Sequence, residues 1–416
     1  MIVVYTIYDV FWLLVGKWKY KKFINPISIY AAVWGGAVLI HESGLIRCYP
    51  LTAFTWVTIF LFQFIFSFLC FLFANGTRQP SLNYFGGDEK IEEKYRKKVF
   101  FYICLTGGLA AVAILFNFSQ IVAYYGKDVL RNFTEIYHDR VQNVVSFRSI
   151  PYLGSLSMCA ISICGYYLRR YGFSPIMIVV AGLPLIETLT TGGRANLVFA
   201  FLLFFFSYHL TNKPEKIAIR KKKDRLLYVL LILTLCLLII YISGLRSSGA
   251  ELTYASATYI RIFGNNAVVY KLLTYVTGPI GALNEYLRTM DFNFAQNTFL
   301  WVYNMLARFG LCSRIEQYQE WFYMPMGCNV ATWIRELIED FTYPIAIICA
   351  CIFGFFVSRS YNCAWQQKES GILCSSIYLM IIALSFFDWK IRSFGVWIAL
   401  ICNYIIGKRL EKKKQV

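Results

Sequence analysis

The run Thr191-Gly192-Gly193-Arg194 stands directly before an apolar stretch, Ala195–Phe206, and Glu187 lies seven residues ahead of the arginine. These residue types at this spacing can build an anion site. Free N–H groups at a helix N-terminus and a guanidinium both attract negative charge, and glycines let a ligand come close to the backbone. Glu187, just inside the preceding apolar run, is costly there unless it works or is paired, and Arg194 is the partner at hand. A tight turn with a snorkelling arginine is the plainer alternative. A second group lies between residues 246 and 340. It holds Arg246, Arg261, Arg288, Arg308, Arg314 and Arg335 but a single lysine, Lys271. The arginine fork matches phosphate through two parallel hydrogen bonds, whereas lysine is a point charge. Aromatic residues interleave with these arginines, and ring faces pack on sugars. The segment therefore suits a ligand bearing phosphate and sugar. For each arginine, pairing with a local carboxylate (Glu251, Glu285, Asp291, Glu316, Glu320, Glu336, Glu339 or Asp340) stays open.

The elements that must position these groups are membrane helices. Of the 416 residues, 58% are hydrophobic, 18% aromatic and only 15% charged, against about 25% charged in soluble domains. Leu51–Ala74, Phe101–Ala123 and Leu226–Leu245 carry no charge, and each supplies the ~20 residues that a bilayer crossing needs. The expected fold is all-α, a polytopic transmembrane helical bundle. Its spans fall near 26–40, 51–74, 100–123, 151–168, 174–190, 194–211, 226–245, 341–358, 371–387 and 393–407, with 1–16 as a further span or an interfacial helix. Lys17–Lys22, the loop 75–99, the loop 212–225 and the tail are basic. Alternation puts all four on one side, the cytoplasm. The net charge of +18 then marks cytoplasmic loops, not nucleic-acid binding. No cleavable leader is expected, since Asp9 interrupts the first apolar run.

Three regions follow: helices over 1–245, a long extracytoplasmic loop over 246–340, and C-terminal helices with a basic tail over 341–416. A connection as long as 246–340 is usually functional, and its amphipathic stretches predict short helices on or dipping into the outer face. The thirteen cysteines show no metal spacing. Most sit in apolar runs as packing residues, and Cys312 with Cys328 is the pair open to a disulfide.

With these motifs in place, the chain resembles the Wzy-type oligosaccharide repeat-unit polymerases. Thr191–Arg194 is similar to their Ser/Thr-Gly-Gly-Arg turn before a hydrophobic helix. "YVTGPIGALNEYL" (Tyr275–Leu287) and "FAQNTFLWVYNMLARFG" (Phe294–Gly310) resemble their Gly-Pro and Asn-Thr-Phe segments. "GCNVATWIRELIEDF" (Gly327–Phe341) is similar to their Asn-x-x-Thr element ending in Asp-Phe-Gly, matched by Asn329, Thr332, Asp340 and Phe341. Thr342 stands where that family often has glycine, so the local backbone is expected to differ.

The resemblance implies a GT-C-like fold and a glycosyltransferase of the bacterial plasma (inner) membrane. Such an enzyme moves a growing glycan from undecaprenyl diphosphate to the next lipid-linked repeat unit, giving capsule, exopolysaccharide or O-antigen. Undecaprenyl-diphosphate-linked glycans are then the partners, together with a chain-length regulator and a flippase, and no cofactor is implied.

The residues suit that chemistry. Arg194 with Gly192 and Gly193, and Arg246, Arg261 and Arg335, would steady the diphosphate leaving group as charge develops. No metal is then needed, and no Asp-x-Asp pair or histidine cluster is present. Asn329 belongs to the same binding set through its motif. Arg140 and Arg148 could meet the diphosphate of a second lipid-linked substrate. A carboxylate would act as general base on the acceptor hydroxyl: Asp340 and Glu285 lead, ahead of Glu336, Glu339 and Glu187. A flippase or other transporter, and an O-antigen-type ligase, are the competing readings.

Overall fold

A computed structural model describes residues 1–74, 89–126, 152–191, 195–212, 252–315 and 321–412, with scattered positions between 127 and 150. The described chain is almost wholly helical. In order it forms α1 (Ile2–Tyr20), α2 (Pro26–Glu42), α3 (Ala53–Leu72), α4 (Glu89–Tyr125), α5 (Leu156–Tyr171), α6 (Ile176–Thr191) and α7 (Ala195–Leu210). There follow α8 (Ala257–Phe263), α9 (Ala267–Thr289), α10 (Leu300–Arg308), the hairpin β1 (Phe322–Tyr323) and β2 (Gly327–Cys328), α11 (Trp333–Trp365), α12 (Glu369–Leu384) and α13 (Phe394–Glu411). Every sequence-expected span coincides with a helix except 226–245, which lies outside the described residues. By length and composition α3, α4 and α11 can each cross a membrane, while α6, α7 and α12 are apolar but shorter.

The chain divides into two compact units. One unit combines Met1–Thr77, Ser247–Tyr361 and Ile381–Phe394; the other combines Arg78–Arg246, Asn362–Met380 and Gly395–Val416.

In the first unit α1 runs beside α3. Tyr5 meets Trp56 and Phe60, Trp12 meets Phe64, and Trp18 stacks on Phe71. The one acid on α1, Asp9, accepts a hydrogen bond from Gln63 at 2.7 Å. α9 is tied to the start of α3 by Asn284, whose side-chain oxygen accepts from the Thr52 N–H and the Thr55 hydroxyl, each at 2.8 Å. The hairpin lies close against α9 because Gly281 has no side chain: a Cβ there would fall 2.2 Å from the Met324 sulfur. The start of α11 is fixed by Trp333. Its indole N–H donates to the Tyr30 hydroxyl at 3.0 Å and its backbone N–H to the Ser385 carbonyl at 2.9 Å.

α11 is broken at Thr342, where φ is 63° and ψ is 162°. Almost only glycine adopts that region freely. Thr342, which stands where the resembling family often has glycine, is thus held in a conformation that glycine adopts freely. The helix restarts at Tyr343-Pro344, with proline in a first turn where its missing N–H costs nothing. The Tyr343 hydroxyl lies 3.1 Å from that of Thr58 on α3.

In the second unit α5 packs between α4 and α7, and the Ser207 hydroxyl donates to the Ser162 carbonyl at 2.6 Å. At the end of α5 the buried Arg170 sits 3.5 Å from Glu369 and donates to the Tyr166 hydroxyl at 2.7 Å. The two candidate disulfide partners are free thiols. Cys312 is directed at the Tyr303 carbonyl and Cys328 at that of Val330, so the pairing left open by the sequence does not form.

Candidate functional site

The groups with the clearest chemical potential gather in the first unit, around the opening turns of α11. Thr332 caps that helix: its hydroxyl accepts from the Arg335 N–H at 3.1 Å. This places Arg335 in the first turn, the end of a helix where a cation is disfavoured and an anion is welcome. Its side chain is 0% exposed. Among the described residues none of its three guanidinium nitrogens makes a hydrogen bond. The nearest charge is the Glu339 carboxylate, 3.5 Å from Nε, too far for a good bond. The Phe322 ring of the hairpin covers the guanidinium carbon at 4.2 Å, and the Tyr286 ring of α9 lies at 5.7 Å. Burial, and the Glu339 carboxylate after it, push the Tyr286 phenol above its ordinary range, so it stays protonated. Its hydroxyl donates to the Asp291 carbonyl at 2.9 Å.

The same helix carries three carboxylates within five residues of this arginine, and they differ in exposure and contacts. Asp340 is 1% exposed. Its two oxygens accept the backbone N–H groups of Asn297 and Thr298 at 2.8 and 2.6 Å. It anchors the loop ahead of α10. Glu336 is fully buried and lies 3.3 Å from Arg392. Glu339 is 16% exposed, and one of its oxygens accepts from Asn293 at 3.1 Å. The turn between α12 and α13 completes the cluster: Trp389 donates to the Thr298 hydroxyl at 3.1 Å, and Lys390 pairs with Asp388. Arg392, Lys390 and Asp388 were missed in the sequence, although "DWKIR" puts three charges in five residues between two apolar runs.

The other expected residues are not all brought here. Glu285 is paired with Arg288 at 3.3 Å and accepts from Asn284 at 3.0 Å. Asn329 is half-buried just after β2. Arg261 is exposed on α8, and Arg308 and Arg314 are exposed beyond α10. Gly192, Gly193, Arg194, Arg246, Arg140 and Arg148 lie outside the described residues. Of the Thr-Gly-Gly-Arg turn the structure gives the frame: α6 ends at Thr191 and α7 begins at Ala195. The Thr190 and Thr191 hydroxyls both bond the Glu187 carbonyl, at 2.8 and 2.9 Å.

The cluster can hold an anion and place a carboxylate beside it. Five N–H donors of a buried guanidinium are an expensive group to leave unanswered, and a phosphate oxygen pair answers a fork of donors well. Among the described residues no group of three or more His, Cys, Asp or Glu could hold a metal ion. Comparison with protein-family models, with curated proteins and with solved structures finds no match to this chain.

Proposed function

We propose that the protein is a membrane glycosyltransferase that polymerises undecaprenyl-diphosphate-linked repeat units into a surface polysaccharide on the outer face of the bacterial plasma membrane. The observation that carries this reading is Arg335: buried, without a hydrogen bond among the described residues, flanked by two aromatic rings and beside a carboxylate. The polytopic GT-C-like arrangement belongs to the same proposal. It draws support from the helices that coincide with the expected spans and from the basic segments that alternate with them.

In this reading the Arg335 guanidinium takes the diphosphate. The Phe322 ring must swing off it for the ligand to enter, and Phe322 is only half-buried. The acceptor hydroxyl oxygen attacks the anomeric carbon of the donor glycan. The bond from that carbon to the diphosphate oxygen breaks, and its electron pair leaves with undecaprenyl diphosphate. Arg335 steadies that charge in a site with little water, where such stabilisation is strongest. We place the general base at Glu339, because it stands beside the Arg335 guanidinium and is 16% exposed, whereas Asp340 and Glu336 on the same helix are buried. Glu339 accepts the hydroxyl proton and returns it to solvent.

The test is a host lacking the gene, complemented with wild type, Arg335→Lys or Arg335→Ala at matched membrane abundance, with lipid-linked glycans and surface polysaccharide resolved on a gel. The reading expects a long ladder from wild type only, with single repeat units exposed on the outer face in both variants. A full ladder from Arg335→Ala would refute the role of this arginine. Loss of the exposed single units when the gene is deleted would point to transport instead.

A further inference from the structure

A second surface does not depend on the chemistry of the Arg335 group, although Asn293, between two of its aromatic residues, bonds Glu339 at 3.1 Å. Helix α10 stops at Gly310, whose φ of 71° is the left-handed conformation glycine tolerates at a helix end. The N–H groups of Phe309, Gly310 and Leu311 bond back to the carbonyls of Leu306, Ala307 and Leu306. The chain then folds along the helix: the Ile315 N–H donates to the Asn304 side chain at 3.1 Å, and the Cys312 thiol meets the Tyr303 carbonyl at 3.2 Å. This is a held loop, yet Phe309 is 74% and Leu311 72% exposed. A hydrophobic residue just past such a cap usually packs back on the last turn, and Leu311 does not.

Phe292 and Phe294 are exposed as well, with ring centres 4.4 Å apart. They are bound to the same body, since the Tyr303 hydroxyl donates to the Phe294 carbonyl at 2.7 Å. Arg308 and Arg314, both exposed, flank Phe309 and Leu311 in the chain.

Position says what covers this patch. The ring of Trp301 on α10 lies tilted against that of Phe394, the first residue of α13, with ring centres 4.6 Å apart. Phe299 meets Phe341 edge-on at 6.4 Å, immediately before the break that opens the apolar part of α11. α10 therefore sits where the apolar part of α11 begins. Aromatic and aliphatic side chains bordered by arginines match the boundary between lipid headgroups and acyl chains.

We propose that α10 and its flanking loops are seated in the bilayer surface from which the apolar part of α11 enters. Phe292, Phe294, Phe309 and Leu311 reach the acyl boundary, and Arg308 and Arg314 lie on lipid phosphates.

The test uses the full chain in phospholipid nanodiscs, with an environment-sensitive fluorescent amino acid replacing Phe309 or, separately, Leu311. Both side chains are mostly exposed, so the label displaces no core. Lys97, 74% exposed on the charged first turns of α4, is the control position. Lipids brominated high on the acyl chain should quench the labels at 309 and 311 at least 2-fold more than at 97, and aqueous iodide should quench them at least 2-fold less. Absence of bromolipid quenching at both positions overturns the proposal. If iodide then reaches them, the patch is free in water; if iodide is also excluded, a protein surface, a second copy included, covers it.

Discussion

Thr342 offers a prediction whose sign is opposite to that of most substitutions. Its φ of 63° and ψ of 162° lie where a Cβ clashes with the backbone, at a cost of about 1–3 kcal/mol for a residue other than glycine. The side chain is exposed, so removing it sacrifices little packing. Thr342→Gly relieves the strain and adds chain entropy to the unfolded state, which costs about 0.5–1 kcal/mol. The net gain should be about 0.5–2 kcal/mol, and the apparent melting temperature in detergent at a fixed scan rate should rise by a few degrees. Thr342→Ala is the control. Alanine keeps the Cβ, so its melting should stay near that of wild type. The readout is fluorescence-detected size exclusion after heating, which reports loss of the folded peak without requiring reversibility. A Thr342→Gly variant that melts at or below Thr342→Ala would refute the reasoning, because it would mean that no strain is stored at the break.

Further predictions rest on other contacts. Asp340→Asn keeps one acceptor but turns an amide NH2 toward the second backbone N–H of the 297–298 pair, and should destabilise by about 1–3 kcal/mol, read as a lower melting temperature. Gly281→Ala drives a Cβ toward Met324 and should cost about 1–3 kcal/mol; adding Met324→Ala should recover part of that loss, and failure to recover any would mean that the hairpin is not held by this contact. Glu339→Gln should lower polymer formation by about 10²–10⁴-fold with unchanged membrane abundance, measured from ladder intensity over time, whereas Glu285→Gln should leave the ladder within a few-fold of wild type.

The helices were legible because apolar runs of spanning length are bounded by charge, and the spans read at 26–40 and 194–211 needed little correction to Pro26–Glu42 and Ala195–Leu210. The site was legible only by residue type. Arg335 stood out as one arginine among six, but nothing in the sequence separates it from Arg261 or Arg308. Its burial comes from Phe322 and Tyr286, residues that only the fold brings to it. Asp340 was ranked as a base because it follows a recognisable element, yet its carboxylate is taken by backbone N–H groups 42 and 43 residues away. The Asp388–Arg392 turn escaped notice because short charged turns between apolar helices usually serve as anchors, and its link to Glu336 crosses 56 residues. The left-handed backbone at Thr342 was not legible either, since sequence alone does not reveal where a threonine is placed in a conformation it disfavours.

In the proposed function the Arg335 guanidinium receives a diphosphate. Native mass spectrometry of the purified full-length protein with undecaprenyl diphosphate, and with undecaprenol as the phosphate-free control, measures this without requiring turnover. Wild type should retain the diphosphate lipid at least 10-fold better than Arg335→Ala does, with Arg335→Lys closer to alanine than to wild type, while undecaprenol binds all three alike. Equal retention of undecaprenyl diphosphate by wild type and Arg335→Ala would contradict the account.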